Sequence, residues 1–331
     1  MKIATSGFKP RNAHRWMPLL LIVTSLVVAG ALAEVSLRLF FHNALALADD
    51  ERNLMYRYDA TLGWFPVENS ERQVTGARTI TAIHNSEGFR GPEHVQDGKP
   101  VILFLGDSFT WGVDAEESER FTDKLQARHP EWRIYNFGIS GYGTDQEYLL
   151  LQKRFDEYKP RVVFLIFCTD NDDSDNRWNM RHGGYYKPYC TVTNSQLSLN
   201  GIPVPRAEKV FYSEHQQLRR SYVVRLIIKS YFKLTAPPPL ESPNPTGPII
   251  RDMQKYLTSK HTIFLIGLTH SHPNLEEFLR HFNIPYVDLS DAARYSAAGA
   301  HWTPIGHDYV CEKVDALLKA HFIEEQPAVN R

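Results

Sequence analysis

The stretch VILFLGDSFTWG, residues 101–112, joins a continuous apolar run to a small polar triplet. An uninterrupted apolar run is typical of a parallel strand that is buried on both faces. The run ends on Gly106-Asp107-Ser108, and that ending has two interpretations. Gly, Asp and Ser are ordinary turn formers. Alternatively, Ser108 is a nucleophile held at the carboxyl end of a strand. Residues elsewhere in the chain distinguish these two interpretations.

Apolar runs alternate with helical patterns on the carboxyl side of this stretch. Such alternation predicts an α/β fold, a three-layer α/β/α sandwich around a parallel sheet of about five strands. Strands are predicted at residues 100–106, 133–138, 160–167, 261–268 and 284–290, and helices at 118–129, 144–158, 275–282 and 304–322.

Residues 172–260 interrupt this alternation between the third and fourth strands. They predict a hairpin over 185–205, with Asn200-Gly201 near its turn, and a helix over 218–232. That helix mixes basic and apolar residues, so it either rests against a membrane or packs on the core, and packing is favoured. The insertion is predicted to form a lid or wall over the carboxyl-end face of the sheet, where such sheets bind ligands.

Near the N-terminus, the segment MPLLLIVTSLVVAGALA (17–33) is nearly all apolar and just long enough to cross a bilayer. Four basic residues precede it, and the first acid is Glu34. The positive-inside rule therefore predicts a cytoplasmic segment over 1–16, a signal anchor over 17–41 and export of the chain from residue 42 onward. A cleaved signal peptide is the alternative, because Ala-Leu-Ala at 31–33 fits a cleavage site. A retained anchor is favoured, since apolar residues resume after Glu34.

The composition suits a globular protein: the chain has 331 residues, of which 43% are apolar and 23% charged. The formal net charge of −1 predicts no broad basic face for nucleic acid. Three cysteines form no C-x-x-C pair, which argues against a thiolate zinc site, and no metal or cofactor is predicted. Cys168 lies in an apolar run typical of the core, and a Cys190–Cys311 disulfide stays open.

Four polar segments come directly after the predicted strands or begin a helix. Because the carboxyl ends of parallel strands lie at one edge of a sheet, all four can meet in one cleft. They are GDS (106–108), NFGISGYGT (136–144), CTDNDDSDN (168–176) and GAHWTPIGH (299–307).

In order and spacing, these four segments resemble the four motifs of the SGNH (GDSL) hydrolase family. Ser108 matches the family's nucleophile, in GDS, and Gly141 matches the glycine of N-x-G-x-S-G. Asn171 matches the asparagine of the third block, and His301 matches the histidine in H-W-T-P-x-G-H. One GDS tripeptide is weak evidence, but four blocks in order are specific. The resemblance implies the SGNH/flavodoxin-like fold and a serine hydrolase.

Two stretches before the first strand resemble membrane-anchored bacterial members of the family, which are often linked to exported polysaccharide. They are YD-x-x-LGW and NS-x-GFRGPE, within residues 42–98, a region predicted as a membrane-proximal linker with short strands. The resemblance implies a hydrolase domain over 99–325, with the insertion 172–260 inside it. It also implies a single-pass protein of the bacterial inner membrane, with this domain periplasmic or extracellular and with a polysaccharide or other membrane assembly as a partner.

The residue types suit acyl transfer through serine. His301 would take the proton of the Ser108 hydroxyl as a general base. The backbone N–H groups of Ser108 and Gly141 and the amide of Asn171 would stabilise the oxyanion. These roles imply an esterase that removes an acetyl or acyl group from a carbohydrate or lipid through an acyl-Ser108 intermediate. An O-acyltransferase on an exported polysaccharide and a catalytically weak scaffold subunit are the alternatives.

One departure from the family concerns the acid that orients the histidine. Members usually carry an Asp two or three residues before it, whereas Ala298 and Gly299 stand there in this chain. Asp288 or Asp291 is therefore predicted as the orienting acid of His301. A backbone carbonyl, or a Ser-His dyad with no acid, is the alternative.

Other polar and aromatic residues near the motifs have structural interpretations. Asp107 is predicted to cap or turn the backbone beside Ser108, and His307 is predicted to be structural. The acidic cluster within 170–175 lacks the spacing of a calcium loop and predicts a solvated loop. Trp111 and Trp302 are either core residues or platforms for a sugar ring.

Overall fold

The computed structural model describes residues 13–47, 55–194, 196–296 and 300–323. Contacts divide the chain into two units, Met1–Asp50 with Phe211–Ala236 and Glu51–Val210 with Pro237–Arg331. The helices are α1 (Ala13–Phe40), α2 (Ser108–Trp111), α3 (Phe121–Arg128), α4 (Thr144–Tyr158), α5 (Asp172–Asp175), α6 (Glu208–Glu214), α7 (Tyr222–Thr235), α8 (Thr246–Ser259), α9 (Pro273–His281) and α10 (Pro304–Leu318). The strands are β1 (Tyr56–Asp59), β2 (Gly63–Pro66), β3 (Ser70–Thr75), β4 (Thr79–His84), β5 (Val101–Gly106), β6 (Arg133–Gly138), β7 (Val162–Phe167), β8 (Met180–Arg181), β9 (Tyr185–Tyr186), β10 (Tyr189–Thr193), β11 (Gln196–Asn200), β12 (Ile263–Leu268) and β13 (Tyr286–Asp288).

A five-stranded parallel sheet in the order β13-β12-β7-β5-β6 forms the centre of the larger unit. This confirms the predicted α/β fold, and each strand lies within its predicted range. Every residue of β7 is buried, as expected for a strand covered on both faces. The rings of Phe104 and Phe164 stack across β5 and β7 with centroids 5.2 Å apart. Burying each such ring contributes about 1.5–3 kcal/mol.

Helices cover both faces of the sheet. On one face, α3 and α10 pack together over a core that includes Phe121, Val310 and Leu318. On the other face, α4 packs against α8. The result is the predicted three-layer sandwich.

The N-terminal part of the larger unit is two antiparallel hairpins, β1–β2 and β3–β4. The Tyr142 hydroxyl donates to the Trp64 carbonyl at 2.6 Å, and Gln146 donates through Nε2 to the Leu62 carbonyl at 2.7 Å. These buried bonds attach residues from 55 onward to α4 and its preceding loop. Contacts therefore group residues 51–98 with the sheet, whereas the sequence predicts a separate linker over 42–98.

The insertion is built differently from its prediction. Thr193 pairs with Gln196, so the hairpin turns there and not at Asn200-Gly201. The helix α8 was not predicted, because Gly247-Pro248 suggested a loop. A proline is tolerated in the first turn of a helix, and α8 buries residues such as Ile250 and Met253 against the sheet. Part of the insertion is thus a layer of the core and not a lid.

The smaller unit contains α1 and α7. Within α1, Trp16–Phe40 is long and apolar enough to cross a membrane, with a mean hydropathy of 2.2 and none of it buried. Among the residues of α7, only Tyr222 is buried. Contacts group this helix with α1, and its favoured interpretation as one packed on the core stays a prediction.

Candidate active site

Ser108 lies where β5 ends and the short helix α2 begins. The Asp107 carboxylate accepts a hydrogen bond from the Phe109 N–H at 2.9 Å through Oδ1. This bond caps the helix and confirms the predicted role of Asp107. Its other oxygen, Oδ2, lies 3.3 Å from the Ser108 hydroxyl. The strand end and the cap together position the serine hydroxyl.

His301 reaches Ser108 from the far end of the chain. Its Nε2 lies 2.9 Å from Ser108 Oγ, although the two residues are 193 positions apart. The His301 carbonyl accepts from the Tyr295 N–H at 2.9 Å, and its ring lies 5.0 Å from that of Phe109. The next residue, Trp302, is fully buried in the core. The structure thus brings the predicted nucleophile and base within hydrogen-bonding distance.

The acid behind His301 is Asp114. Its Oδ2 lies 3.6 Å from His301 Nδ1, and the Asp114 side chain is completely buried. Neither of these two atoms has a hydrogen-bond partner among the described residues, so each faces only the other. The separation is longer than a hydrogen bond. Such contacts often tighten when a substrate occupies the site.

The turn between β3 and β4 holds the Asp114 carboxylate in place. The Arg78 N–H donates to Asp114 Oδ1 at 3.2 Å. Gly76 allows this approach, because a Cβ there would lie 2.4 Å from the same oxygen. Asp114 itself has a φ of +65°, a conformation that Asp tolerates better than most residues. A region predicted as a linker therefore forms part of the site.

The two acids predicted to orient His301 have other partners. Asp288 accepts from the Ser290 N–H, and Asp291 accepts from the Tyr309 hydroxyl. No hydrogen bond or ion pair of the described residues joins either one to His301. The carboxylate beside His301 is that of Asp114 and not the predicted Asp288 or Asp291. Positions 298 and 299, where the family usually has its acid, lie outside the described residues.

Among the predicted oxyanion donors, Asn171 has a contact next to the nucleophile, on Asp107. Asn171 donates through Nδ2 to Asp107 Oδ2 at 3.4 Å, the same oxygen that faces the Ser108 hydroxyl. Gly141 has a φ of +84° in the loop between β6 and α4. The Ile139 N–H in that loop donates to the Gly106 carbonyl at 3.0 Å, which ties the loop to the end of β5. Their role as oxyanion donors stays a prediction.

Charges around His301 act on its pKa in opposite directions. Burial lowers the pKa of His301 below its ordinary value, the carboxylates of Asp107 and Asp114 oppose this, and the Arg294 guanidinium adds to it. The net direction is downward, so the imidazole is neutral at neutral pH. A neutral imidazole is the form that accepts a proton from serine.

Further buried carboxyl groups lie around Asp107. Burial raises the pKa of Glu147 well above its ordinary value, and the nearby Asp107 and Asp145 raise it further. Burial also raises the pKa of Asp172, with Glu147 and Asp107 adding to the effect. Burial thus disfavours the charged form of both Glu147 and Asp172.

The remaining predictions near the motifs have mixed outcomes. Trp111 and Trp302 are buried, so neither offers a face to a sugar. Burial lowers the pKa of His307 to about 3, and its Nδ1 accepts from the Phe121 N–H, which confirms a structural role. The acidic cluster is not a solvated loop, because Asp172 within it is fully buried and accepts from the Cys168 N–H.

All three cysteines are free and buried. In the part of the chain that the structure describes, no group of three or more His, Cys, Asp or Glu residues is arranged to hold a metal ion.

Comparison with known families and structures gives an independent view of the chain. Residues 104–247 match the GDSL-like Lipase/Acylhydrolase family. This range contains Ser108, Gly141 and Asn171, and His301 lies beyond it. No curated protein matches significantly.

Several solved structures are similar at low identity. A member of the lipolytic G-D-S-L family from Veillonella parvula is 13% identical, with a TM-score of 0.39 over 65% of this chain and 96% of that one. An esterase from a Pseudoalteromonas species is 13% identical, with a TM-score of 0.37 over 67% of this chain and 100% of that one. A two-domain esterase active on acetylated mannans is also 13% identical, with a TM-score of 0.37 over 70% of this chain and 51% of that one. At these values the likenesses carry no argument about substrate.

Proposed function

We propose that this chain, whose residues 104–247 match the GDSL-like Lipase/Acylhydrolase family, is an ester-hydrolysing enzyme that works as a serine esterase through an acyl-Ser108 intermediate. The observation that carries this proposal is the 2.9 Å contact between Ser108 Oγ and His301 Nε2. The buried carboxylate of Asp114, on the other side of the imidazole, supports it.

In the first half of the reaction, Ser108 Oγ attacks the ester carbonyl carbon while its proton passes to His301 Nε2. The proton on Nδ1 faces the Asp114 carboxylate, which stabilises the imidazolium that forms. When the tetrahedral intermediate collapses, the ester C–O bond breaks. The leaving alcohol takes the proton from Nε2, and the acyl group stays on Ser108.

In the second half, water replaces the alcohol. His301 takes a proton from the water, the resulting hydroxide attacks the acyl carbon, and the carboxylic acid leaves as Ser108 regains its proton. The oxyanion of both halves would accept from the N–H groups of Ser108 and Gly141 and from Asn171. The Asn171 amide has two N–H groups, so one can stay on Asp107 while the other faces the oxyanion.

The proposed substrate is an acetyl or acyl ester of a carbohydrate or lipid outside the cytoplasm. The support for this class is the resemblance of the YD-x-x-LGW and NS-x-GFRGPE stretches to anchored bacterial members of the family. The apolar helix α1 supports an anchored protein, and the basic residues before it support a cytoplasmic N-terminus.

Esterase activity is tested with the full chain in detergent and a short-chain p-nitrophenyl ester. We expect Ser108→Ala to lose activity by about 10⁴-fold or more, with unchanged folding by circular dichroism. Ser86→Ala, at an exposed serine outside the site, is the matched control and should keep full activity. Equal rates for Ser108→Ala and the unmodified chain would refute the acyl-Ser108 mechanism.

Orientation is tested with reporters fused after residue 331. A phosphatase that folds only outside the cytoplasm should be active when it is fused at this position. A reporter that is active only in the cytoplasm should be inactive at the same position. The reverse pattern would refute the proposed orientation. Mass spectrometry of the mature chain distinguishes the two alternatives for the N-terminus. An anchor retains residues 17–33, whereas a cleaved signal peptide is absent from the mature chain.

A further inference from the structure

The helix α7 carries an apolar face that the rest of the described chain leaves uncovered. Ile227, Tyr231 and Leu234 are spaced by four and three residues, so they share one face of the helix. Their exposed fractions are 59%, 57% and 85%. Leu226, at 44%, lies at the edge of the same face. A contiguous exposed apolar face of this kind marks an interaction surface.

The opposite side of α7 is bound within the smaller unit. Arg225 donates to the Leu45 carbonyl at 3.1 Å, and Lys229 donates to the Ala44 carbonyl at 2.6 Å. The rings of Phe211 and Phe232 lie 6.3 Å apart. These contacts orient the helix so that its apolar face points outward.

A carboxylate of α1 holds the first turn of α7. Glu34 accepts from the Ser221 hydroxyl at 2.9 Å and from the N–H groups of Tyr222 at 2.9 Å and Val223 at 3.0 Å. Arg38 donates to Glu34 at 2.8 Å and to the Arg220 carbonyl at 2.6 Å. The N-terminus of α7 is therefore attached to α1 at Glu34.

Glu34 is also the first charged residue after the apolar run 17–33, and mostly apolar residues follow it to the end of α1. At a rise of about 1.5 Å per residue, residues 17–33 cover about 25 Å, close to the hydrocarbon thickness of a bilayer. The attachment thus joins the start of α7 to α1 at a point about one hydrocarbon thickness along the helix from residue 17.

We propose that α7 is an interfacial helix whose apolar face enters the leaflet from which α1 emerges, with the lipid bilayer as its partner. This inference rests on the proposed membrane anchor. The helix would give the protein a second contact with the membrane, beside the span.

The test measures the depth of single spin labels on the full chain in nanodiscs of phosphatidylethanolamine and phosphatidylglycerol. Labels are placed by Ile227→Cys and Leu234→Cys, and the native thiols stay unlabelled because all three are buried. Ala29→Cys in α1 reports the span, and Ser259→Cys at the exposed end of α8 is the aqueous control. Collisions with oxygen, which partitions into lipid, are compared with collisions with a water-soluble nickel chelate.

We expect positions 227 and 234 to lie about 5–10 Å below the headgroups, position 29 to lie deeper and position 259 to be in water. If position 29 is in lipid while 227 and 234 collide with nickel as often as 259, the interfacial helix is refuted and the anchor stands. If position 29 is also in water, the anchor itself is refuted. Positions 227 and 234 immobilised and shielded from both reagents would indicate a protein partner and would overturn the lipid proposal.

Discussion

Ser108 and His301 meet at one site, but the molecule holds them by different means. Ser108 is positioned by its own neighbours: the buried strand β5 before it and the Asp107 cap beside it. His301 depends on groups from distant parts of the chain, namely Phe109, Asp114 and the turn that holds Asp114. The placement of the nucleophile is thus a local property, whereas the orientation of the base is a tertiary one.

Among the substitutions that test this comparison, Asp114→Asn is expected to lower kcat the most. An amide can donate to Nδ1 and stabilise the wrong tautomer of His301, so we expect kcat to fall by about 10²–10⁴-fold. Asp291→Asn is the matched control, because Asp291 pairs with Tyr309, and it should change kcat less than about twofold. Steady-state kinetics on both variants checks this. A larger loss of kcat in Asp291→Asn would indicate that Asp291, in the loop after β13, is the acid that orients His301.

On the side of the nucleophile, Asn171→Ala should lower kcat by about 10²–10³-fold, because one donor to the oxyanion is lost. The effect should fall on kcat more than on KM, since the charge develops only in the transition state. Asn244→Ala is the control, as Asn244 binds Asp173 and not the site. An unchanged kcat in Asn171→Ala would remove this residue from the oxyanion hole.

A smaller effect is expected from Gly76→Ala, which touches neither Ser108 nor His301. The new methyl group would displace the Asp114 carboxylate, and we expect kcat to fall by about 10–100-fold. The companion variant Gly30→Ala, in α1, has open space around its Cβ position and should leave kcat unchanged. Should Gly76→Ala keep full activity, the β3–β4 turn does not position the acid.

The smallest expected effect is a shift in pH dependence. The acidic limb of kcat/KM should follow the pKa of His301, because only the neutral imidazole is a base. Arg294→Gln removes a cation that lowers this pKa, so the limb should move to higher pH. Asp114→Asn removes an anion that raises it, so the limb should move to lower pH. Arg280→Gln, on the exposed face of α9, is the control and should leave the limb in place. If the limb moves in the same direction in Arg294→Gln and Asp114→Asn, this electrostatic arrangement is contradicted.

The sequence predicted the sheet well because apolar runs and turn residues are local signals. All five strands and the full range of α4 lie where the pattern placed them. The helix α8 was missed because Gly247-Pro248 resembles a turn, and only its packing on the sheet shows that a helix begins there.

The candidate site shows the same limit. Ser108, Asn171 and His301 were predicted from motif order, but the acid was sought near His301 in sequence. Asp114 carried one available signal: it is a carboxylate six positions after the nucleophile, directly after the apolar Trp111-Gly-Val. Its contact with His301 depends on the β3–β4 turn, which no local pattern connects to the motifs. For α7 the sequence favours packing on the core, although an apolar stripe does not reveal what covers it.

The short distance between Ser108 and Asp114 along the chain has a consequence for biosynthesis. The ribosome makes the β3–β4 turn, the nucleophile and the acid early, whereas His301 comes 193 residues after Ser108. A chain that is still being made therefore has a serine with no base to activate it. By the proposed mechanism, hydrolysis needs His301 and therefore waits until the last part of the domain has been made.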